Sequence, residues 1–397
     1  MSSPLIDQIK QLVQHNFSKI IETRHYLHAN PELSFEEFET SKFVKNELLA
    51  IGITKIEPKA NTGLVALIEG KNPTKKTIAL RADLDALPIF EQNEVTYKSK
   101  NEGVMHACGH DVHTTCLLGA AQILFSLKNE FEGTIKLIFQ PGEEKLPGGA
   151  SIMIAEKALE NPTPESIFGQ HVMPLIPVGK VGFKSGLYMA SSDELFIKVI
   201  GKGGHGAMPH LNIDPVLIAA HIIIALQQLV SRMASPIIPS VLSFGKVIAN
   251  GATNVIPNEV NIEGTFRTLD EKWRIEAHQK MIKMATLMAE SMGGKCEFEV
   301  RKGYPFLKNN EQLTQKAKNA AIAYLGAENV VDLDTWMAAE DFAYYSQIMP
   351  ACFYRLGTRN EQKGIVSSVH TPTFDIDENA LAIGVGLMAY LAINDLN

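Results

Sequence analysis

Residues 77–88 read Thr-Ile-Ala-Leu-Arg-Ala-Asp-Leu-Asp-Ala-Leu-Pro. The run over 77–82 is short, largely apolar and followed by acidic residues, which predicts a strand buried in a sheet. Asp83 and Asp85 stand two apart, so both fall on one face at the strand's carboxyl end. Strand-end carboxylates of this kind serve sites at the carboxyl edge of α/β sheets, and they also serve as helix caps and turn formers. Working outward, apolar stretches at 63–69 and 133–139 predict two more strands, with a helix over 113–127 between them. Toward the N-terminus, Leu5, Ile9, Leu12, Val13, Phe17, Ile20 and Ile21 are spaced as on one face of a helix, and a second helix is expected over 35–50, closed by Gly52. Strands alternating with helices predict an α/β fold, a sheet covered by helices on both faces.

A different rhythm begins near Gly186. A strand is expected at 194–200 and a helix at 215–231, with Asp214 as its N-cap and Pro215 in its first turn. Strands at 240–249 and 259–267, a helix at 272–292 and a strand at 295–301 complete the order βαββαβ. That is the order of a ferredoxin-like unit. The expected organisation is a discontinuous main domain, 1–185 and 302–397, with an inserted domain at 186–301.

The chain has 397 residues, of which 45% are hydrophobic and 20% charged, with a formal net charge of −7. This is the composition of a globular protein with a sizeable core. It carries no basic run suited to a phosphate backbone, so nucleic acid is not an expected partner. The apolar stretch 216–226 reads as a buried helix too short to span a membrane, and none is expected. Four cysteines make no disulfide framework and suit a reducing, cytoplasmic setting.

The densest chemical signal is Met105-His-Ala-Cys-Gly-His-Asp-Val-His113, which gathers three of the 12 histidines. Gly109 lets a loop turn Cys108 and His110 toward one point, and thiolate plus imidazole suits an ion such as zinc. No second Cys/His pair completes a structural zinc finger. A buried inert cysteine beside solvated histidines is the plain alternative. Gln140-Pro-Gly-Glu-Glu144 follows a strand, where two adjacent glutamates are expected to face different ways. One could then bind a metal while the other stays free as a base. His171 and His370 read singly as core or loop histidines. Gly201-Lys-Gly-Gly-His-Gly206 fits a dinucleotide-binding glycine pattern, but it opens no helix and lacks the downstream acidic residue. Its glycines are instead expected to leave His205 exposed on a tight, flexible loop. Asn254 and Arg267 are expected beside one strand pair, where an Arg fork is the usual partner of a carboxylate and a surface ion pair the bland one.

Taken together, RADLDALP (81–88), MHACGHDVH (105–113), QPGEE (140–144), GQHVMP (169–174), GKGGHGAMPH (201–210), NVIP (254–257), GTFRT (264–268), AEDFAYY (339–345) and VHTPTF (369–374) resemble the aminoacylase and carboxypeptidase superfamily of two-metal amidohydrolases. The resemblance is closest to the hippurate hydrolase and indole-acetyl-amino-acid hydrolase subfamily. It implies a mixed-sheet, metallopeptidase-like catalytic domain with an inserted lid and dimerisation domain. It further implies two divalent ions, zinc or manganese with nickel or cobalt as alternatives, held by Cys108, His110, Glu144, His171 and His370. Glu143 would be the general base, Asp85 would orient a ligand, and Asp83 would not be one. Arg267 and Asn254 would hold the carboxylate of an N-acyl amino acid. His205 would act in a neighbouring subunit, which requires a homodimer or larger assembly. The rival readings are a dipeptidase or carboxypeptidase on the same fold, and a catalytically silent, metal-stabilised binding protein. The chain departs from the usual pattern at Lys145-Leu-Pro-Gly-Gly149 and at Ala339, where glycine is commoner.

Overall fold

The computed structural model describes residues 4–396, which form two compact units. The larger comprises residues up to Tyr188 together with Lys308–Thr335 and 341 onward. Its centre is a mixed eight-stranded sheet in the order Ile56–Lys59, Gly63–Glu69, Thr134–Gln140, Thr77–Asp83, Ser166–Pro177, Ala351–Arg359, Val181–Phe183 and Val330–Asp332. The four strands from Thr134–Gln140 to Ala351–Arg359 run parallel. Thr77–Asp83 and Thr134–Gln140 are buried at every residue, so both faces of the sheet are covered there.

The helices Pro4–Ala29, His110–Ser126 and Asn379–Leu396 pack on one another. They contribute Ile9, Val13, Ile20, Leu117, Leu124, Val385 and Leu391 to one continuous core with the sheet's Leu80, Leu137 and Phe139. At roughly 1.5–3 kcal/mol for each fully buried large apolar side chain, this core dominates the unit's stability.

The second unit comprises Met189–Leu307 and Trp336–Glu340. Its boundaries differ from the 186–301 read in sequence, because Ala190 donates its amide to the carbonyls of Trp336 and Ala338 and draws that distant segment in. Its antiparallel sheet runs Ser240–Ile248, Glu259–Thr268, Asp193–Ile200, Lys295–Lys302, which is ferredoxin-like strand order. Pro215–Leu226 and Glu271–Ser291 pack against it through Ile218, Ile222, Trp273, Ala277 and Met281. Asp214 caps the first helix by accepting from the amides of Val216 and Leu217. That helix is not wholly buried as the sequence suggested: Leu217 and Ile224 face outward, 52% and 72% exposed. Only one stripe of an all-apolar helix can meet a single sheet. A π-helical turn, Leu229–Met233, extends it. By length and apolarity Pro215–Met233 and Asn379–Leu396 could each cross a bilayer, but the second is a core helix.

Candidate metal centre

Three adjacent parallel strands bring their carboxyl ends to one edge. Asp83 pairs in register with Gln140, and Gly169 with Arg81, so His171 lies level with Asp83. The helix His110–Ser126 starts beside this edge after Gly109, whose φ of +84° is a conformation that favours glycine. A Cβ there would meet Val172 Cγ2 at 2.6 Å. The turn therefore aims Cys108 and His110 at the strand ends only with glycine between them.

The donors converge. Cys108 Sγ lies 3.5 Å from His171 Nε2 and 3.3 Å from His370 Nε2. His370 Nε2 lies 3.1 Å from Glu144 Oε1, yet that oxygen has no partner in hydrogen-bond geometry among the described residues. His110 Nε2 is likewise unpartnered, facing Asp83 at 3.8 Å and both Glu143 Oε2 and Glu144 Oε1 at 4.0 Å. Buried atoms that point together without bonding one another are what ligands of a cation look like. Three sets of donor atoms, Cys108–His110–His171, Cys108–Glu144–His370 and His110–Glu143–Glu144, each lie within 4.8 Å of one another. The residues present, a thiol, imidazoles and carboxylates, fit the donor set that divalent ions would take.

The ring tautomers agree. His171 Nδ1 donates to the Val172 carbonyl at 2.7 Å, leaving Nε2 as a lone pair toward Cys108. His110 Nδ1 donates to Asp85 Oδ1 at 3.1 Å, so Nε2 is the nitrogen turned toward the other donors, and a bound cation would displace the proton it carries without one. Burial, with Arg355 next, pushes His171 well below the ordinary imidazole range, so it is neutral. Burial opposes charge on His110 too, but Asp83, the Asp85 hydrogen bond and Glu144 overcome it and raise the group to about 10. Burial and the surrounding Glu144, Glu143 and Asp83 push the Cys108 thiol up. The site without a cation is thus too negative for its own thiolate, and a bound cation reverses that.

His113, by contrast, is spent within the protein. Its Nδ1 bonds Asp83 Oδ1 at 2.6 Å and its Nε2 accepts the Val172 amide at 2.9 Å. Asp83 and His113 are therefore supports, although they share a cluster with His110.

Two sequence expectations need correction. Glu143 and Glu144 do not diverge, because the strand ends at Gln140 and Gly142, at φ +57°, breaks the alternation. Nor do Asn254 and Arg267 share a strand pair. Asn254 precedes Val255–Ile256, which pairs with Gly204–His205, and the Asn254 carbonyl accepts the Gly206 amide. Arg267 lies opposite Val241 and donates to the Met337 carbonyl at 3.0 Å. The short pairing with Val255–Ile256 also holds the His205 segment, whose side chain is exposed.

Sequence reasoning missed the supports behind the glutamates. Glu37 accepts the Gly142 amide at 2.8 Å and the Thr62 hydroxyl at 2.6 Å, and Ser34 donates to Asp85 at 2.6 Å. The Phe35 ring lies where a Gly142 Cβ would project. A second buried cluster joins Arg24, His28 and Asp111, and Arg24 reaches Asp375, five residues beyond His370. The polar residues at 24–37 were the available signal.

A mixed α/β sheet with a buried Cys/His/Glu cluster at its carboxyl edge defines a metal-dependent hydrolase of the peptidase class. Residues 79–394 match the model of peptidase family M20/M25/M40, and the chain belongs to that family. It is similar to the IAA-amino acid hydrolase ILR1-like 5 of Arabidopsis thaliana, 41% identical over 381 residues, covering 95% of this chain and 86% of the relative. It is 38% identical over 398 residues to thermostable carboxypeptidase 2 of Saccharolobus solfataricus, covering 99% of each. Among solved structures it resembles the YXEP protein of Bacillus subtilis, described as a dinuclear metal-binding peptidase from the M20 family. That comparison has a TM-score of 0.82 at 35% identity, covering 96% of this chain and 99% of that one.

Proposed function

We propose that the protein hydrolyses the amide bond of N-acyl-L-amino acids. The observation that carries this reading is the converging Cys/His/Glu donor set. Separately, Arg267 is a half-buried cation that has no carboxylate partner among the described residues. Burial alone lowers the Arg267 guanidinium, so an incoming carboxylate would be its first counter-charge. The relatives named above fit the same chemistry. An amino-acid conjugate and a peptide's C-terminal residue both present a free carboxylate beside the amide to be cut.

Cys108, His110, Glu144, His171 and His370 would hold two divalent ions, zinc or manganese before nickel or cobalt, whose chemistry is to polarise a carbonyl and make water acidic near neutral pH. Glu143, one residue from the ligand Glu144, takes a proton from the attacking water on its carboxylate and returns it to the leaving amine. Asp85 holds His110 in its ligating tautomer. Arg267 and Asn254 fix the substrate's carboxylate, which orients the amide. His205 Nδ1 accepts the Ala207 amide at 3.1 Å, which leaves the proton on Nε2 as a donor for an oxyanion.

His205 would serve a second copy's site. Self-association through the inserted unit is supported by its outer strand Ser240–Ile248, which pairs on one side only among the described residues, and by the exposed Leu217, Ile224 and Val247. Ile224→Lys is then expected to yield monomers by light scattering and to abolish activity. A monomer that turns over at the wild-type rate would remove His205 from the mechanism. The activity itself is tested by amine release from a panel of N-acetyl and N-benzoyl amino acids, beside dipeptides. Preference for a free α-amino group would favour the dipeptidase reading.

A further inference from the structure

Two of the motifs, RADLDALP and AEDFAYY, contribute residues that the mechanism above leaves unused, and the structure joins them. Arg81 is fully buried, and its guanidinium divides its donors between two equally buried acids. Its Nη1 donates to Asp83 Oδ2 at 2.6 Å, its Nη2 to Asp341 Oδ1 at 2.7 Å, and its Nε to Gln140 Oε1 at 3.0 Å.

Each acid leads to a different half of the site. Asp83 bonds His113, and His113 accepts the amide of Val172, the residue after His171. Asp341 accepts from Gln140 Nε2 at 2.8 Å and from the Ala150 amide at 2.9 Å, bracketing the 140–150 segment that carries Glu143 and Glu144. Its own amide points at Glu143 Oε1 at 3.4 Å.

We propose that Arg81 is a positioning residue, a planar fork that keeps the His171 arm and the Glu143 segment in register without touching substrate or metal. The roles of His171 and Glu143 in this proposal rest on the function proposed above. A lysine cannot replace the fork, because one ammonium on a flexible stem cannot meet three acceptors in a plane. The two halves should be separable. Arg81→Lys loosens both, whereas Asp341→Asn loosens only the Glu143 side.

The test measures affinity for Mn²⁺ titrated into metal-free protein, thermal midpoint, and kcat and KM with the best N-acyl amino acid, for wild type, Arg81→Lys, Asp341→Asn and Glu143→Gln. Asp341→Asn keeps the side chain's volume and provides a folded variant if Arg81→Lys fails to fold. The expected result is metal affinity about tenfold weaker in Arg81→Lys, in the range for residues that orient ligands. Its kcat should also fall at least tenfold with KM within twofold. Asp341→Asn should lose kcat at saturating metal, with metal affinity weakened less than in Arg81→Lys, because only the segment carrying Glu143 and Glu144 is loosened and the His171 arm is not. Variants with lowered thermal midpoints but wild-type affinity and kcat per folded chain would reduce Arg81 to a core salt bridge and overturn the proposal. So would an Asp341→Asn chain with wild-type kcat. An active Glu143→Gln chain would instead remove the base assignment, and the metal affinity of Arg81→Lys would still decide its link to His171.

Discussion

Gly109→Ala is a sharp test of how the centre is built, because one methyl group acts on both the turn between Cys108 and His110 and the strand beside it. Two costs add. Alanine at φ +84° costs about 1–2 kcal/mol, since a side chain in the left-handed region crowds its own carbonyl. The new Cβ would also sit 2.6 Å from Val172 Cγ2 and 3.2 Å from Cγ1, inside a buried, parallel-paired strand that cannot retreat freely. Overpacking of that kind costs about 1–3 kcal/mol. The sum is about 2–5 kcal/mol, a fall in thermal midpoint of about 4–10 °C for a unit of this size. Because Val172 follows His171, and Gly109 stands between Cys108 and His110, metal affinity should fall in the same variant. The assay is calorimetry of the chelated protein with a parallel metal titration. Gly245→Ala is the control, since nothing lies within 4 Å of its added Cβ. It should change stability by no more than about 0.5 kcal/mol. A Gly109→Ala protein that melts within 1 °C of wild type would show that the turn accepts a side chain there and does not depend on glycine.

Other outcomes follow from the same geometry. Glu143→Gln should bind metal as wild type does while kcat falls by about 10²-fold or more, the usual contribution of a general base. Arg267→Ala should lower kcat/KM about 10–100-fold for substrates with a free carboxylate, the value of a hydrogen bond to a charged group. It should be indifferent for the corresponding esters or amides, read from initial rates on matched pairs. Asp193 accepts from both Arg274 Nε and Nη2 and from His278, and although burial opposes its charge these partners hold its carboxyl below the ordinary value. A depressed folded value stabilises the protein above the unfolded pKa of about 3.9, and that share is lost as pH falls through the folded value. Asp193→Asn should therefore cost about 3 kcal/mol at pH 7. The gap from wild type in urea midpoint should close below pH 4.

The architecture was legible wherever burial followed local periodicity. The strands at 63–69 and 77–82 and the βαββαβ order announce themselves because each element presents an unbroken apolar run or stripe to its core. Pro215–Leu226 misled for the same reason, since apolar residues all round a helix do not say which of them the sheet will reach. Among site residues, Cys108 and His110 stood out through spacing alone. His171 and His370, 63 and 262 residues from Cys108, looked like ordinary histidines until the fold and the resemblance joined them to it. The divergence expected of Glu143 and Glu144 failed because a strand's alternation ends with its last ladder residue. Supports such as Glu37 and Asp341 act through backbone amides distant in sequence, a relation that no local pattern encodes.

On the function proposed above, a cation held by Cys108, His110, Glu144, His171 and His370 enables amide hydrolysis in a protein that folds without it. The direct measurement is amine release from N-acyl amino acids before chelation, after it, and after Zn²⁺ or Mn²⁺ is restored, with circular dichroism followed throughout. Activity should be lost on chelation and regained with metal while the spectrum stays that of the folded chain. Turnover that persists through chelation, and is lost instead on alkylating Cys108, would contradict it.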